Sequence, residues 1–274
     1  MNKSIKRAFL DTEDGQILYR ICGEGEPLLL LHQNPRSSDE FRELMPIFAQ
    51  TRRVIAMDFL GLGDSDKPPR MYSTEDYAKT VIALLDELGI SSTSILGNHT
   101  GAFVAGEVAA AYPEKVDKLI LCNAFGFDEE GKAALLKRFT DGFKIKVDGS
   151  HLMERWSARA QYIGSPELNQ RWVLDDLKSF GYPLYAIWAV QDYCLNAPKI
   201  FQLIKSPTLV LWGTEDMKTF DKLGLAKVEN RYFVSKAIPH SKVVEIEGGT
   251  ICMMNQMPEE ISQIVIDFLE NSSI

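Results

Sequence analysis

Histidine and cysteine are scarce in this chain, with four of each among 274 residues. Cys22, Cys122, Cys194 and Cys252 lie far apart, with no C-x-x-C pair and no Cys/His cluster at zinc spacing. That excludes a disulfide framework and a zinc module, so the cysteines are read as reduced thiols and neither metal nor other cofactor is expected. Positive charge is also in deficit: 30 Lys and Arg stand against 38 Asp and Glu, a formal net charge of -8. Such a balance leaves no electrostatic footprint for nucleic acid or an anionic membrane, and a small molecule is the expected partner. No run reaches the roughly 18 apolar residues of a membrane span, and Met1 to Arg20 carries basic residues without an apolar stretch behind them. A soluble, cytoplasmic protein of unassigned oligomeric state is the expectation. Internal repeats and low-complexity tracts are lacking too.

What is present suits one large core: 45% of the residues are apolar and 25% charged. Short runs rich in Ile, Leu and Val alternate with helical stretches, the pattern of an α/β fold with a mostly parallel central sheet flanked by helices. The expected strands are Leu28–Leu31, Val54–Met57, Ser94–Leu96, Lys118–Leu121, Thr208–Leu211 and Lys242–Ile246. Ligands of such sheets bind beyond the carboxyl ends of the strands. From Phe125 to about Phe201 the rhythm becomes helical and aromatic, with Trp156, Tyr162, Trp172, Tyr182, Tyr185, Trp188 and Tyr193. This reads as an inserted helical cap over 125–201 on a core formed by 1–124 and 202–274. Most of these rings are expected to pack cap helices together, with Trp156, Tyr185 and Trp188 facing a ligand.

Five stretches of residues carry a resemblance. Leu28-Leu-Leu-Leu-His32-Gln33-Asn34-Pro35 is followed by Asp58-Phe-Leu-Gly61-Leu-Gly63-Asp64-Ser65-Asp66-Lys67-Pro68, and then by Gly97-Asn98-His99-Thr100-Gly101. Further on come Leu209-Val-Leu-Trp212-Gly213-Thr-Glu-Asp216 and Gly248-Gly249-Thr250. In this order they resemble the α/β-hydrolase family, especially its haloalkane dehalogenase and epoxide hydrolase branches. The resemblance implies an α/β-hydrolase fold and covers nearly the whole chain outside the cap. It places His99 at the nucleophile elbow, a sharp strand-to-helix turn whose small neighbours let the central side chain project.

Two departures bear on chemistry. His99 stands where the family has Ser or Asp, and Thr250 where it has the general-base histidine. Threonine cannot take a proton as imidazole does, so the acyl-enzyme route of a serine hydrolase lacks its base. The family's oxyanion hole maps onto the backbone N–H groups of Asn34 and Thr100, and Gln33 replaces a glycine. For Asp216 three roles stay open: a hydrogen bond to Thr250, a water-mediated link to His99, or a stabilising carboxylate. Asn34, Arg36 and His151 are candidate substrate contacts, Arg36 otherwise being a solvated surface residue; His32 matches a structural histidine, and His240 precedes the last strand. The leading expectation is an unusual hydrolase or lyase acting on a small, partly apolar carbonyl compound, with His99 as general base or nucleophile. The competing expectation is a non-catalytic ligand binder of the same fold.

Overall fold

The computed structural model describes residues 4–179 and 185–271. Eight strands form one sheet: β1 (Lys6–Thr12), β2 (Gly15–Cys22), β3 (Glu26–Leu31), β4 (Arg52–Met57), β5 (Thr93–Asn98), β6 (Val116–Cys122), β7 (Thr208–Gly213) and β8 (Lys242–Ile246). Their spatial order is β1-β2-β4-β3-β5-β6-β7-β8. The strands β3 to β8 pair in parallel, while β2 lies antiparallel to both β1 and β4.

The unbroken apolar runs follow from burial on both faces. Leu29, Leu31, Ile55, Met57 and Ile95 face one core, shared with the helices Thr74–Glu87 and Thr100–Ala111. Their neighbours Leu28, Leu30, Val54, Ala56 and Leu96 face the other, against the helices Leu44–Phe48 and Pro258–Glu270. All six expected strands are present. The hairpin β1–β2 was not expected, because it shows no unbroken apolar run: of β1 only Leu10 is buried, and of β2 Ile17, Leu18 and Cys22. Its signal was the two-residue turn Glu13-Asp14 before Gly15, where φ is 130°.

Between β6 and β7 the chain runs through the helices Glu129–Gly142, Ser150–Ser157, Pro166–Ser179, Tyr185–Tyr193 and Ala197–Ile200. Tyr182 lies outside the described residues. This connection is tied to the sheet layer by apolar packing, with Leu135, Ala189, Val190 and Ala197 joining the core, and by charge and hydrogen bonds. Arg36 Nη1 donates to Asp175 Oδ2 at 2.5 Å, Arg171 Nε to Asp39 Oδ2 at 2.9 Å, and Arg171 Nη1 to Glu43 Oε1 at 2.6 Å. The Tyr193 hydroxyl donates to Glu107 at 2.8 Å, and Trp172 Nε1 to Asn255 at 3.2 Å. Arg36 is wholly buried, with its guanidinium 4.4 Å from the Trp172 ring centroid, which corrects the expectation of a solvated arginine.

Burial pushes the Asp39 carboxyl up, but Arg171, Arg42 and Arg36 together outweigh it and hold the group below the usual carboxylate range. A depressed folded-state value gives stability that is present above the unfolded carboxylate range and lost as pH falls through the folded value. Asp39→Asn is therefore expected to cost about 2 kcal/mol at neutral pH, a cost that shrinks as pH falls below about 4. Urea unfolding of both proteins across pH checks this; a difference that stays constant down to acid pH contradicts it.

Candidate active site

The site is built around a strained turn. β5 ends at Asn98, the helix starts at Thr100, and His99 between them has φ 46° and ψ −111°. A non-glycine residue there costs about 1–3 kcal/mol and persists only where its surroundings over-determine it. They do so by close approach: a Cβ on Gly101 would lie 2.0 Å from the Leu31 carbonyl oxygen, and one on Gly97 2.2 Å from that of Gly101. Hydrogen bonds from His99 N to Cys122 O, and from Ala102 N to His99 O, both at 2.9 Å, fix the turn.

The His99 ring projects into an apolar cavity. It stacks on Phe220, with centroids 5.3 Å apart, and tilts against Phe125 at 5.9 Å. Phe103, Phe127, Phe139 and Ile187 complete much of the wall, while the polar lining is Gln33, Asn34, Thr100 and Asn123. The space open to the centre of a water-sized sphere is about 60 Å³, room for a small molecule.

Asp216 meets His99 directly: Oδ2 lies 2.7 Å from Nε2, and the carboxylate side chain is fully buried. The approach is close without the alignment of a hydrogen bond, and neither Nε2 nor the Asp216 carboxylate oxygens have another hydrogen-bond partner. The acid is presented by the first turn of the helix Thr214–Lys222, where Glu215 N and Asp216 N both donate to Gly249 O at 3.0 Å. None of the three expected roles for Asp216 included this direct contact. The Thr250 hydroxyl is used elsewhere, donating to Gln256 Oε1 at 2.6 Å and accepting from Cys252 N at 3.0 Å.

The two expected oxyanion positions come together. Asn34 N donates to the Thr100 hydroxyl at 3.3 Å, and both residues line the cavity. The Asn34 side-chain amide nitrogen is buried and lacks a hydrogen-bond partner. What holds this loop is Glu40, a wholly buried carboxylate that the sequence did not single out. It accepts from Gln33 N at 2.8 Å, from Gln33 Nε2 at 2.6 Å and from Asn98 Nδ2 at 2.7 Å. The Gln33 side chain, in place of a glycine, thus ties the loop to the elbow strand.

Other expected contacts lie elsewhere. Arg36 lines neither this cavity nor the one beside it, being committed to Asp175. His151 accepts from Lys146 N at 3.2 Å and does not line the cavity. Trp156 is half-buried, also away from it, and its carbonyl accepts from Asn169. Tyr185 and Trp188 belong to the helix Tyr185–Tyr193, but their side chains lie outside what is described. His32 is structural: Phe59 N donates to its Nε2 at 3.1 Å, leaving Nδ1–H for the Gln33 carbonyl at 2.8 Å. His240 lies near Ser206 O at 3.3 Å, away from the cavity.

This fold and elbow define a family. The chain belongs to the α/β-hydrolase fold family, whose model matches residues 26–250. It is 28% identical to the cis-3-alkyl-4-alkyloxetan-2-one decarboxylase of Shewanella oneidensis, over 96% of this chain and 88% of that protein. With epoxide hydrolase 4 of Mus musculus it shares 25% identity, over 93% of this chain and 76% of the relative. A hydrolase from Pseudomonas aeruginosa superimposes with a TM-score of 0.80 at 18% identity, covering 97% of this chain and 99% of that one. The enol-lactonase from Burkholderia xenovorans gives 0.76 at 20% identity, covering 96% and 100%. Among the described residues no helix is long and apolar enough to cross a membrane, and no cluster of metal-ligating side chains occurs.

Glu40→Gln would set an amide NH₂ against at least one of the three N–H donors that now meet a carboxylate. A loss of about 2 kcal/mol in unfolding free energy is expected from urea titration. Unchanged stability would show that the carboxylate is not what holds the loop.

Proposed function

We propose that the protein is an enzyme acting on a small, partly apolar carbonyl compound, with His99 as its general base. The observation that carries the reading is the 2.7 Å approach of Asp216 to His99 Nε2 beside an apolar cavity. A carboxylate there selects the tautomer with the proton on Nε2 and leaves Nδ1 unprotonated for a substrate. Neutral Nδ1 takes a proton from the carbon next to the substrate carbonyl. The electron pair of that C–H bond moves toward the carbonyl oxygen, which gains negative charge against the N–H of Thr100 and that of Asn34, the latter turning to it from the Thr100 hydroxyl. Asp216 offsets the positive charge on the ring, and the proton returns to the product or to a leaving group.

The same nitrogen acting as a nucleophile would leave an acyl-imidazole that needs a second base for hydrolysis. Thr250 does not provide one, which favours proton transfer. In this reading the helical segment 125–201 serves as a cap: its Phe127, Leu135, Phe139, Ile187 and Val190 line the cavity and exclude water from the base. The named relatives include a decarboxylase and hydrolases, so both hydrolase and lyase outcomes suit the chain. Thr250 also supports a second reading, a ligand binder of the same fold without catalysis.

Exchange in heavy water tests the proposal without a known product. A panel of small ketones and keto acids is incubated with the protein, and deuterium uptake at the carbon next to the carbonyl is read by mass spectrometry. Uptake is expected for at least one compound, falling by about 10²–10⁴-fold in His99→Ala. Uptake that survives this change, or compounds that bind without any uptake, would contradict the general-base reading, the latter favouring the binder.

A further inference from the structure

The His99 cavity has a neighbour. The two share Gln33, Asn34, Phe139 and Ile251 as walls, and the second has about 90 Å³ open to water-sized spheres. The character changes across Phe139. Where the first cavity is apolar, the second is lined by Arg138, Arg155 and Arg159, with Tyr162 and Trp172, and among the described residues no Asp or Glu lines it.

Cation and anion do not balance around this space. Arg155 Nε lies 2.8 Å from Asp176 Oδ2, and Arg159 Nη2 is paired with the same oxygen, so two guanidiniums share one carboxylate. Asp176 is fully buried behind them. Arg138 adds a third positive charge in the wall. Arg155 also lies over the Phe143 ring at 4.5 Å and Arg159 over Trp172 at 5.2 Å, so packing accounts for where these two side chains lie, but with Arg138 they still set three positive charges against one carboxylate.

An independent observation points to a ligand. Asn34 is 8% exposed, its Nδ2 is buried without a hydrogen-bond partner, and the residue lines both cavities. An unsatisfied buried amide donor costs about 1–3 kcal/mol. Here it stands at the junction between an imidazole and a group of guanidiniums. The Tyr162 phenol is a neutral O–H donor near neutral pH, as an ordinary tyrosine is, and burial pushes it further up, to about 12. The second cavity therefore offers N–H and O–H donors and positive charge, with no carboxylate of its own to meet them.

We propose that this second cavity is the subsite for a substrate carboxylate, which makes the substrate a small organic acid whose apolar, carbonyl-bearing part reaches His99. The inference rests on the reading of the His99 cavity as the reaction site. Charge-assisted hydrogen bonds from guanidinium to carboxylate fix both position and orientation, and would set the distance from the acid group to the reacting carbon.

Binding tests it apart from turnover. Hexanoate and hexanamide, alike in length and differing in charge, are titrated calorimetrically into the wild-type protein and into Arg155→Gln, Arg138→Gln and His99→Ala. Hexanoate is expected to bind about tenfold or more tightly than hexanamide, with a preference that weakens in salt. The preference should largely vanish in Arg155→Gln, where Arg159 still satisfies Asp176, and fall in Arg138→Gln, where an exposed side chain changes. Affinity for hexanamide should stay the same in both, which separates loss of a charge contact from loss of folding. Retention of the preference in His99→Ala is also expected. Equal affinities, no saturable binding of hexanoate, or a preference untouched by both arginine changes would overturn the subsite. A preference lost only in His99→Ala would place the anion on the imidazole and overturn it as well. Failure of deuterium exchange with hexanoate selectivity intact would defeat the general-base reading while leaving the anion site standing.

Discussion

Everything in the site depends on one turn of backbone. At His99 the chain leaves β5 with a positive φ that a residue bearing a side chain rarely takes, and enters the helix Thr100–Ala111 with no residue between. The turn is possible because Gly97 and Gly101 pass within contact of other backbone atoms where no Cβ fits. Its result is an imidazole raised above the carboxyl ends of the strands, held against the stacked pair Phe220 and Phe125 and met by Asp216. A strain of about 1–3 kcal/mol is small beside the burial of the sheet on both faces, so the fold can sustain it.

Around the turn, buried charge gives shape where apolar packing would give only cohesion. Glu40 locks the Gln33 loop to Asn98, and so fixes the Asn34 N–H against Thr100. Farther out, Asp175 receives Arg36 and Asp39 receives Arg171, joining the helical connection to the sheet layer. Such pairs add little net stability, because desolvation offsets much of the attraction, but a mismatched partner is costly. Their effect is to allow one placement of the helices above His99. The lining of the cavity by residues from both layers depends on that placement.

How much of this could be read from the chain follows from what each element shows to a reader. Five of the parallel strands were legible because strands buried on both faces are unbroken runs, and β8, an edge strand with only Ile246 buried, was legible from its β-branched residues; β1 and β2, with few buried residues and no such run, were not. His99 was legible because its glycines are needed locally. The direct contact of Asp216 was not, since it depends on how the turn after β7 meets Gly249 in three dimensions. Glu40 was missed, and Arg36 was read as a substrate contact or a solvated residue, for a related reason: a charged residue in a loop shows no partner until it arrives from far away in sequence, 139 positions for Asp175. His151 and Trp156 were expected near the ligand on composition alone, and composition does not say which face of a helix turns inward. Arg155 and Arg159, on that same stretch, are the residues that reach the cavities.

The role proposed for His99 requires that the nearby Asp216 carboxylate keep the ring proton on Nε2. Nitrogen-15 NMR of the histidine rings reads this directly, with His99→Gln assigning the signal. The neutral ring is expected as the tautomer protonated at Nε2, with a bare Nδ1, and Asp216→Asn should disturb that preference. A neutral His99 ring protonated at Nδ1, or a tautomer balance indifferent to Asp216→Asn, would contradict the account.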